Sequence, residues 1–381
     1  MGGEGHVRVA IAHDYLTQRG GAERVVLAMA RAFPDAPIYT TLYDPHQTFP
    51  EYADLDVRPS RLNKIRYFRR HHRAALPLLP RTVTSMTIDA DVVIASSSGW
   101  AHGVRSTGQK LVYCYTPARW LHQQRRYLGD HSTRGTAVAL KVLSPWLRRW
   151  DFRAAQTATD YVTVSSVVQD RVHSVYGLPS TVLPAPRPNT DTRPSEPIPA
   201  VEQWLGGADD GQSFELCVSR LLPYKNVDQV VAAYADEPRR RLVVVGSGPV
   251  KPALQAAAGG NVLFLEGITD GQLAWLYRRS RALISISYED FGLTPLEAAA
   301  FGKPSIVLRW GGYVETMVEN LTALFIEVPE AEHVRRALEQ LDAREWDVER
   351  IVEHAARYHE DVFVEHLREL VKVQLEKRDR S

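Results

Sequence analysis

Leu183-Pro-Ala-Pro-Arg-Pro-Asn-Thr-Asp-Thr-Arg-Pro-Ser-Glu-Pro-Ile-Pro199 divides the chain. Proline lacks a backbone N–H and fixes φ, so neither a sheet ladder nor a helix interior tolerates such density, and the stretch reads as a linker. Before it, Val7-Arg-Val-Ala-Ile-Ala12 has the pattern of a buried strand, followed by a loop from His13 to Gly21 and an amphipathic helix from about Ala22 to Phe33. Asp91–Ala95, Leu111–Tyr115 and Tyr161–Ser165 are further strand candidates with helical stretches between them. After the prolines the alternation restarts with Glu215–Ser219, Arg241–Val245, Val262–Leu265, Leu283–Ile286 and Ser305–Leu308. Strand and helix alternating twice over predict an α/β chain of two doubly wound parallel sheets. The expected division is a Rossmann-like domain over residues 1–185, a linker over 186–200 and a second Rossmann-like domain over 201–355. A helix over 356–381, within an amphipathic tail from Glu345 to Arg380, is expected to cross back to the first domain. Ligands of such a pair bind in the crevice facing the carboxyl ends of both sheets.

Size and composition agree. A chain of 381 residues exceeds one ordinary core, and 44% hydrophobic with 24% charged residues describes a soluble globular protein. A net charge of +1 argues against a general nucleic-acid binder. Cys114 and Cys217 sit in apolar, strand-like contexts and read as buried thiols, with neither a disulfide framework nor zinc spacing. No apolar signal core and no bilayer-length apolar run are present, so cytoplasmic residence is the expectation. Charge is nevertheless uneven. Residues Arg58 to Arg81 contain no acid and interleave Arg and Lys with Tyr67, Phe68 and leucines, and Lys141–Arg153 mixes Trp with Arg. Such stretches suit peripheral contact with anionic lipid headgroups; the competing reading is a solvated helix face beside a core-facing stripe.

The residues best suited to chemistry are Glu289 and Glu297. They bracket Asp290-Phe291-Gly292-Leu293-Thr294-Pro295-Leu296 between a strand-like run and a helix-like stretch. Thr294 is the expected N-cap and Pro295 the first helical residue. Free N–H groups at a helix terminus attract phosphate, and carboxylates accept from sugar hydroxyls, so the run suggests a sugar attached to a phosphate. Thr294-x-x-Glu297 also fits a capping box, which would make Glu297 only a helix cap. In Ser219-Arg220-Leu-Leu-Pro-Tyr-Lys225-Asn226, Arg and Lys five apart can clamp a diphosphate from two sides. Val245-Gly-Ser-Gly248-Pro249 is a Gly-rich turn after a strand, and Arg19-Gly20-Gly21-Ala22-Glu23 opens the first helix. Gly20-Gly21 does not extend to Gly-x-Gly-x-x-Gly, which disfavours a plain dinucleotide dehydrogenase.

Acid-x7-acid around Phe-Gly-Leu resembles the donor-site signature of retaining glycosyltransferases of family 4, which have the GT-B fold. The resemblance spans nearly the whole chain and is most specific in the second half. It implies that Glu289 lies beside the donor sugar, with Asp290, Phe291, Gly292, Leu293 and Thr294 around it, that Glu297 binds the nucleotide ribose, and that Arg220 and Lys225 bind the donor diphosphate. Gly248 would lie beneath the nucleotide, and Gly267-Ile-Thr-Asp270 to Tyr277 around the base. Gly311-Gly312-Tyr-Val-Glu315 would let backbone approach the donor. Gly20 and Gly21 would meet a donor phosphate or acceptor oxygen, and His102 would contact the donor hexose. Tyr115 and Arg119 would line the acceptor side, and Ser165 to Arg171 resembles a hinge-proximal turn. Three departures stand out: Ile286 occupies a usual Pro position, Tyr115 replaces a frequent His, and Leu183-Pro-Ala-Pro lacks the usual Pro-x-Asp ending.

The resemblance implies transfer of a hexose, with retention, from a nucleotide-diphosphate sugar to a glycan, lipid-linked or small-molecule acceptor held mainly by the first domain. GDP-mannose is the favoured donor, UDP-hexose the next. No metal cluster is visible, so no metal and no cofactor are expected, with Arg220, Lys225 and helix-terminus amides absorbing the leaving-group charge. A catalytically silent relative that binds a nucleotide sugar as a sensor or partner is the alternative.

Overall fold

The computed structural model describes residues 7–123, 134–206, 213–235 and 237–379; the side chains of 72–73 and 134–142, and with them part of the two basic stretches, lie outside the description, as does Arg380. The chain forms two compact units, residues 1–186 together with 360–381, and residues 187–359.

In the first unit the strands are β1 (Val9–His13), β2 (Ile38–Thr40), β3 (Val57–Pro59), β4 (Thr87–Ile88), β5 (Val92–Ser97), β6 (Arg105–Ser106), β7 (Gln109–Cys114), β8 (Asp160–Thr163) and β9 (Thr181–Val182). Seven of them form one sheet in the order β3-β2-β1-β5-β7-β8-β9, and β4 pairs with β6 apart from it. All pairs of the large sheet are parallel. Its central strands are buried, as their uninterrupted apolar runs require once helices cover both faces. The strand order reverses direction between β1 and β5, so the loops after these two strands open at one switch point. The first helix, Gly21–Ala32, packs its buried face of Val25, Val26 and Met29 inward.

The second unit contains β10 (Glu215–Val218), β11 (Leu242–Val245), β12 (Val262–Leu265), β13 (Leu283–Ser285), β14 (Ser305–Leu308) and β15 (Ala323–Ile326), ordered β12-β11-β10-β13-β14-β15 and parallel throughout. Counted from β10 this is the 3-2-1-4-5-6 order of a dinucleotide-type sheet, with its switch point between β10 and β13.

The predicted strands recur within a residue or two, whereas β2, β3, β9, β15 and the β4–β6 pair had no counterpart in the sequence reading. Most are two or three residues long, too short for a periodic signal. The proline-rich segment is ordered against the second unit from Arg187 onward. The Arg187 guanidinium, 6% exposed, donates to Asp191 Oδ1 at 2.6 Å and to the carbonyl of Ala355 at 3.2 Å. The expected tail is two helices, Val348–Ala356 in the second unit and Glu360–Asp379 in the first. Phe363, Leu367 and Val371 of the latter are buried, and Arg31 pairs with Glu360.

Candidate functional site

In the second unit the loops leaving β10 and β13 meet at the switch point. After β10 the chain turns through Pro223–Lys225 to Asn226, whose φ of 54° is left-handed. Asn226 Nδ2 donates to the Ile286 carbonyl at 2.9 Å and ties this loop to the end of β13. Across that tie Lys225 Nζ forms an ion pair with Glu289 Oε1. Arg220 is exposed and donates to the Tyr224 hydroxyl at 3.1 Å. Two residues 64 apart in sequence, an amine and a carboxylate, thus share one locus beside an exposed guanidinium.

Glycines set this geometry. At Gly246 (φ 154°) a Cβ would meet the Ser219 carbonyl oxygen at 1.8 Å, and at Gly248 (φ 159°) the Leu221 oxygen at 2.1 Å. The Gly-Ser-Gly turn therefore packs directly on the backbone that carries Arg220. Gly312 has the same office for the acidic run: its N–H donates to the Glu289 carbonyl, and a Cβ would lie 2.2 Å from Phe291 Cα. The close approach that excludes a side chain at Gly311 and Gly312 is thus to the backbone of residues 289–291.

The helix after the acidic run is Leu293–Ala300 and its N-cap is Gly292, at φ 92°, with no side-chain capping bond. The expected start at Thr294 and Pro295 is corrected: both lie inside the first turn. Thr294 cannot cap a helix it is already part of, so the capping box with Glu297 does not form. Glu297 is 9% exposed, and its Oε2 accepts from the Tyr277 hydroxyl at 3.0 Å. That hydroxyl comes from the segment expected near the base. Tyr313, fully buried, bonds Ser285 and Ser287 Oγ at 2.7 and 3.0 Å, and burial pushes its phenol up to about 12. Asp290 and Phe291 are buried, and Leu293 and Thr294 are half-buried.

The first unit builds a polar cluster at its own switch point. Asp14, just past β1, accepts from the backbone N–H groups of Ser98, Trp100 and Ala101 at 2.7, 3.1 and 2.6 Å and so shapes the loop after β5. His13 Nδ1 lies 3.0 Å from Ser96 Oγ, and its Nε2 lies 3.9 Å from Glu23 Oε1. Burial disfavours a charged His13, but the Glu23 and Asp14 carboxylates and the Ser96 carbonyl together outweigh it and raise the pKa above the ordinary imidazole value. Tyr115 joins the cluster, its hydroxyl 3.0 Å from Ser96 Oγ and donating to the Ala22 carbonyl at 3.2 Å. Gly20 caps the helix that starts at Gly21, and a Cβ on Gly20 would meet Glu23 Oε2 at 2.6 Å. Arg119 opens the short helix Arg119–His122 nearby in sequence, and Arg171 donates to Thr116 Oγ1 at 2.6 Å. Sequence reasoning passed over His13 and Asp14, although two polar residues ending a buried first strand were a signal of a switch-point site.

His102 follows Ala101 in the same loop, with its side chain buried. It is 2% exposed, with Nδ1 3.1 Å from Ser97 Oγ and Nε2 3.2 Å from Asp151 Oδ1, and its imidazole is not presented to solvent. Asp151 also receives His122 Nε2 at 2.7 Å and the Tyr176 hydroxyl at 2.8 Å. Burial would raise the Asp151 pKa, yet the two imidazoles outweigh it and hold it down at about 2.

The model of glycosyl transferases group 1 matches residues 203–358, and that of glycosyltransferase family 4 matches residues 19–186. With the first half matching the one model and the second half the other, the chain is a family-4-like glycosyltransferase. The glycosyltransferase is 27% identical over 269 residues to the GDP-mannose-dependent alpha-(1-6)-phosphatidylinositol monomannoside mannosyltransferase of Mycolicibacterium smegmatis, covering 58% of this chain and 70% of the relative. It is 28% identical over 276 residues to the D-inositol 3-phosphate glycosyltransferase of Rhodococcus erythropolis, covering 65% of this chain but only 62% of that one. Among solved structures, Anabaena HepE in complex with UDP-glucose superposes with a TM-score of 0.69 at 17% identity, over 97% of this chain and all (100%) of that one. Sucrose-phosphate synthase from Thermosynechococcus elongatus gives 0.68 at 16%, over 96% of this chain and 98% of that one. These likenesses establish the GT-B fold. The buried state of Cys114 and Cys217 agrees with the sequence, and burial pushes the Cys217 thiol up to about 12. No helix among the described residues is long and apolar enough to cross a membrane.

Proposed function

We propose that the chain transfers a hexose, with retention of configuration, from a nucleotide-diphosphate sugar to a glycan, lipid-linked or small-molecule acceptor. The supporting observation is the Lys225–Glu289 pair beside Arg220 at the switch point of the second unit. Without donor, amine and carboxylate neutralise each other. A diphosphate entering between Arg220 and Lys225 competes for the amine, and the released Glu289 carboxylate becomes an acceptor for a sugar hydroxyl. Glu297, held by Tyr277, is the proposed ribose contact.

The leaving diphosphate gains charge as the glycosidic bond breaks, and two fixed cations stabilise that charge more in the transition state than in the ground state. The sugar then carries oxocarbenium character, as in glycoside hydrolysis. The acceptor oxygen bonds the anomeric carbon on the face the diphosphate leaves, and its proton passes to the departing phosphate oxygen. Gly20, Gly21, Tyr115 and Arg119 are the proposed phosphate- and acceptor-facing groups of the first unit. His102 enters the proposal only through the loop it anchors.

GDP-mannose is the first donor to test, because the mycolicibacterial relative is named for it; UDP-glucose follows, because HepE was solved with it. A thermal-shift panel of nucleotide sugars selects the donor, since a ligand at 100 times its Kd adds about 2.7 kcal/mol of stability. The anomeric configuration of the transferred sugar, read by NMR, then tests retention. A product with the opposite anomeric configuration to the donor, or no stabilisation by any nucleotide sugar, would sink the proposal, and binding without turnover would favour the silent-relative alternative.

Cytoplasmic residence with peripheral membrane contact is also proposed. Ile65, Tyr67 and Leu78 of the acid-free stretch are 47%, 60% and 44% exposed among its arginines. Arg58 is an exception, since Asp56 just outside the stretch pairs with it. Cosedimentation with anionic but not zwitterionic vesicles is the expected result.

A further inference from the structure

The first unit contains a cavity of about 540 Å³ that neither switch point uses. Its wall carries Arg105, Arg149, Arg153 and Lys110, with Trp146 and Trp150 between them and no Asp or Glu. Arg149 and Arg153 stand one turn apart on the helix Arg134–Ala155, Trp146 one turn earlier, and Arg105 comes from β6. Side chains at these helical spacings share a face. All three arginines are exposed, and none pairs with a carboxylate among the described residues.

Lys110 forms the floor. It is 2% exposed, and its Nζ donates to the carbonyls of His102 and Val104 at 2.7 and 3.0 Å and to Thr157 Oγ1. With its three N–H groups engaged, it contributes charge through space. Burial pulls its pKa down to about 8, as expected where an ammonium has no anionic partner. None of the lining residues belongs to the polar cluster at the switch point, and Lys110 lies five residues before Tyr115, about 16 Å along β7.

Four cations converging without a counter-charge repel one another, and a bound anion removes that repulsion. Guanidinium forks match tetrahedral phosphate oxygens, and the indole faces offer a flat apolar wall. We propose that this cavity binds a phosphate ester, its oxygens held by Arg105, Arg149 and Arg153 and its organic part lying against Trp146 and Trp150. The ester could be carried by a lipid headgroup or by a soluble molecule. Both share this chemistry; Trp146 and Phe152, 46% and 47% exposed on the same helix, suit the lipid source.

The test uses the full chain and two probes, sn-glycerol 3-phosphate by titration calorimetry and phosphatidylglycerol vesicles by sedimentation. The triple variant R105Q/R149Q/R153Q should lose at least tenfold in affinity for one or both probes, while R220Q/K225Q, altered only in the donor loop, should keep it. Loss of vesicle binding assigns the lipid source, and loss confined to glycerol 3-phosphate assigns the soluble one. Replacing the arginines by lysine should restore part of the binding. Should the triple variant melt early, R149Q/R153Q on the exposed helix face carries the same test. Unchanged affinity in a folded variant, equal loss in R220Q/K225Q, or no binding of either probe by the wild type overturns the proposal.

Discussion

Lys225 and Glu289 are held together by a tie that neither makes itself, the bond from Asn226 Nδ2 to the Ile286 carbonyl. Removing the amine should therefore cost chemistry more than fold. Lys225→Ala is expected to lower kcat by about 10²-fold or more, measured at saturating donor, with an unchanged melting midpoint. Wild-type turnover in that variant would dismiss the charge-stabilising role. Glu297 is the harder residue, because its carboxylate is both a proposed ribose ligand and the acceptor for buried Tyr277. Glu297→Gln keeps an acceptor for that hydroxyl while removing the charge. It should weaken donor binding about tenfold with little loss of stability, by calorimetry and thermal melting together. Loss of stability with donor affinity intact would return Glu297 to a structural part.

At the scale of elements, the acidic run is positioned by a second loop packed on its backbone. Gly312→Ala places a methyl carbon 2.2 Å from Phe291 Cα, a contact that only backbone movement relieves. The expected cost is about 2 kcal/mol or more, read as a lower urea midpoint, with donor affinity falling in step because residues 289–291 shift. In the first unit, Asp151 joins the turn at His102, the short helix at His122 and the helix ending at Tyr176. Its pKa is depressed in the folded state from 3.8 to about 2. The unfolded chain therefore takes up the proton first on acidification. The associated stability is present above about pH 4 and lost as pH falls toward 2, on the order of 2 kcal/mol in all. Asp151→Asn should flatten that part of the stability–pH curve; an unchanged acid limb would show that the carboxylate is not held this way.

For the whole molecule, the chain enters the second unit at Arg187 and returns to the first at Glu360. The last helix is part of the first unit's core through Phe363, Leu367 and Val371. Ending the chain at His359 exposes the surfaces these three cover, roughly 5 kcal/mol by apolar burial. The first unit should then unfold at lower urea while the second keeps its own transition; coincident loss of both would mean the units do not unfold separately. Much of this was legible in the sequence. Short apolar runs rich in β-branched residues, such as Val92–Ala95 and Leu242–Val245, read as strands covered on both faces, and the proline-dense segment could not continue either sheet. Residue spacing also brought out Glu289, Glu297, Arg220 and Lys225, because strand ends and turns are local in the chain. Partnership was not local. That Lys225 meets Glu289, that Gly312 packs on Phe291, that Gly292 rather than Thr294 caps the helix, and that His102 turns inward to Asp151 all depend on groups brought together across a parallel sheet. Strand order sets those meetings, and strand order comes from packing the whole chain at once, which no window of sequence contains.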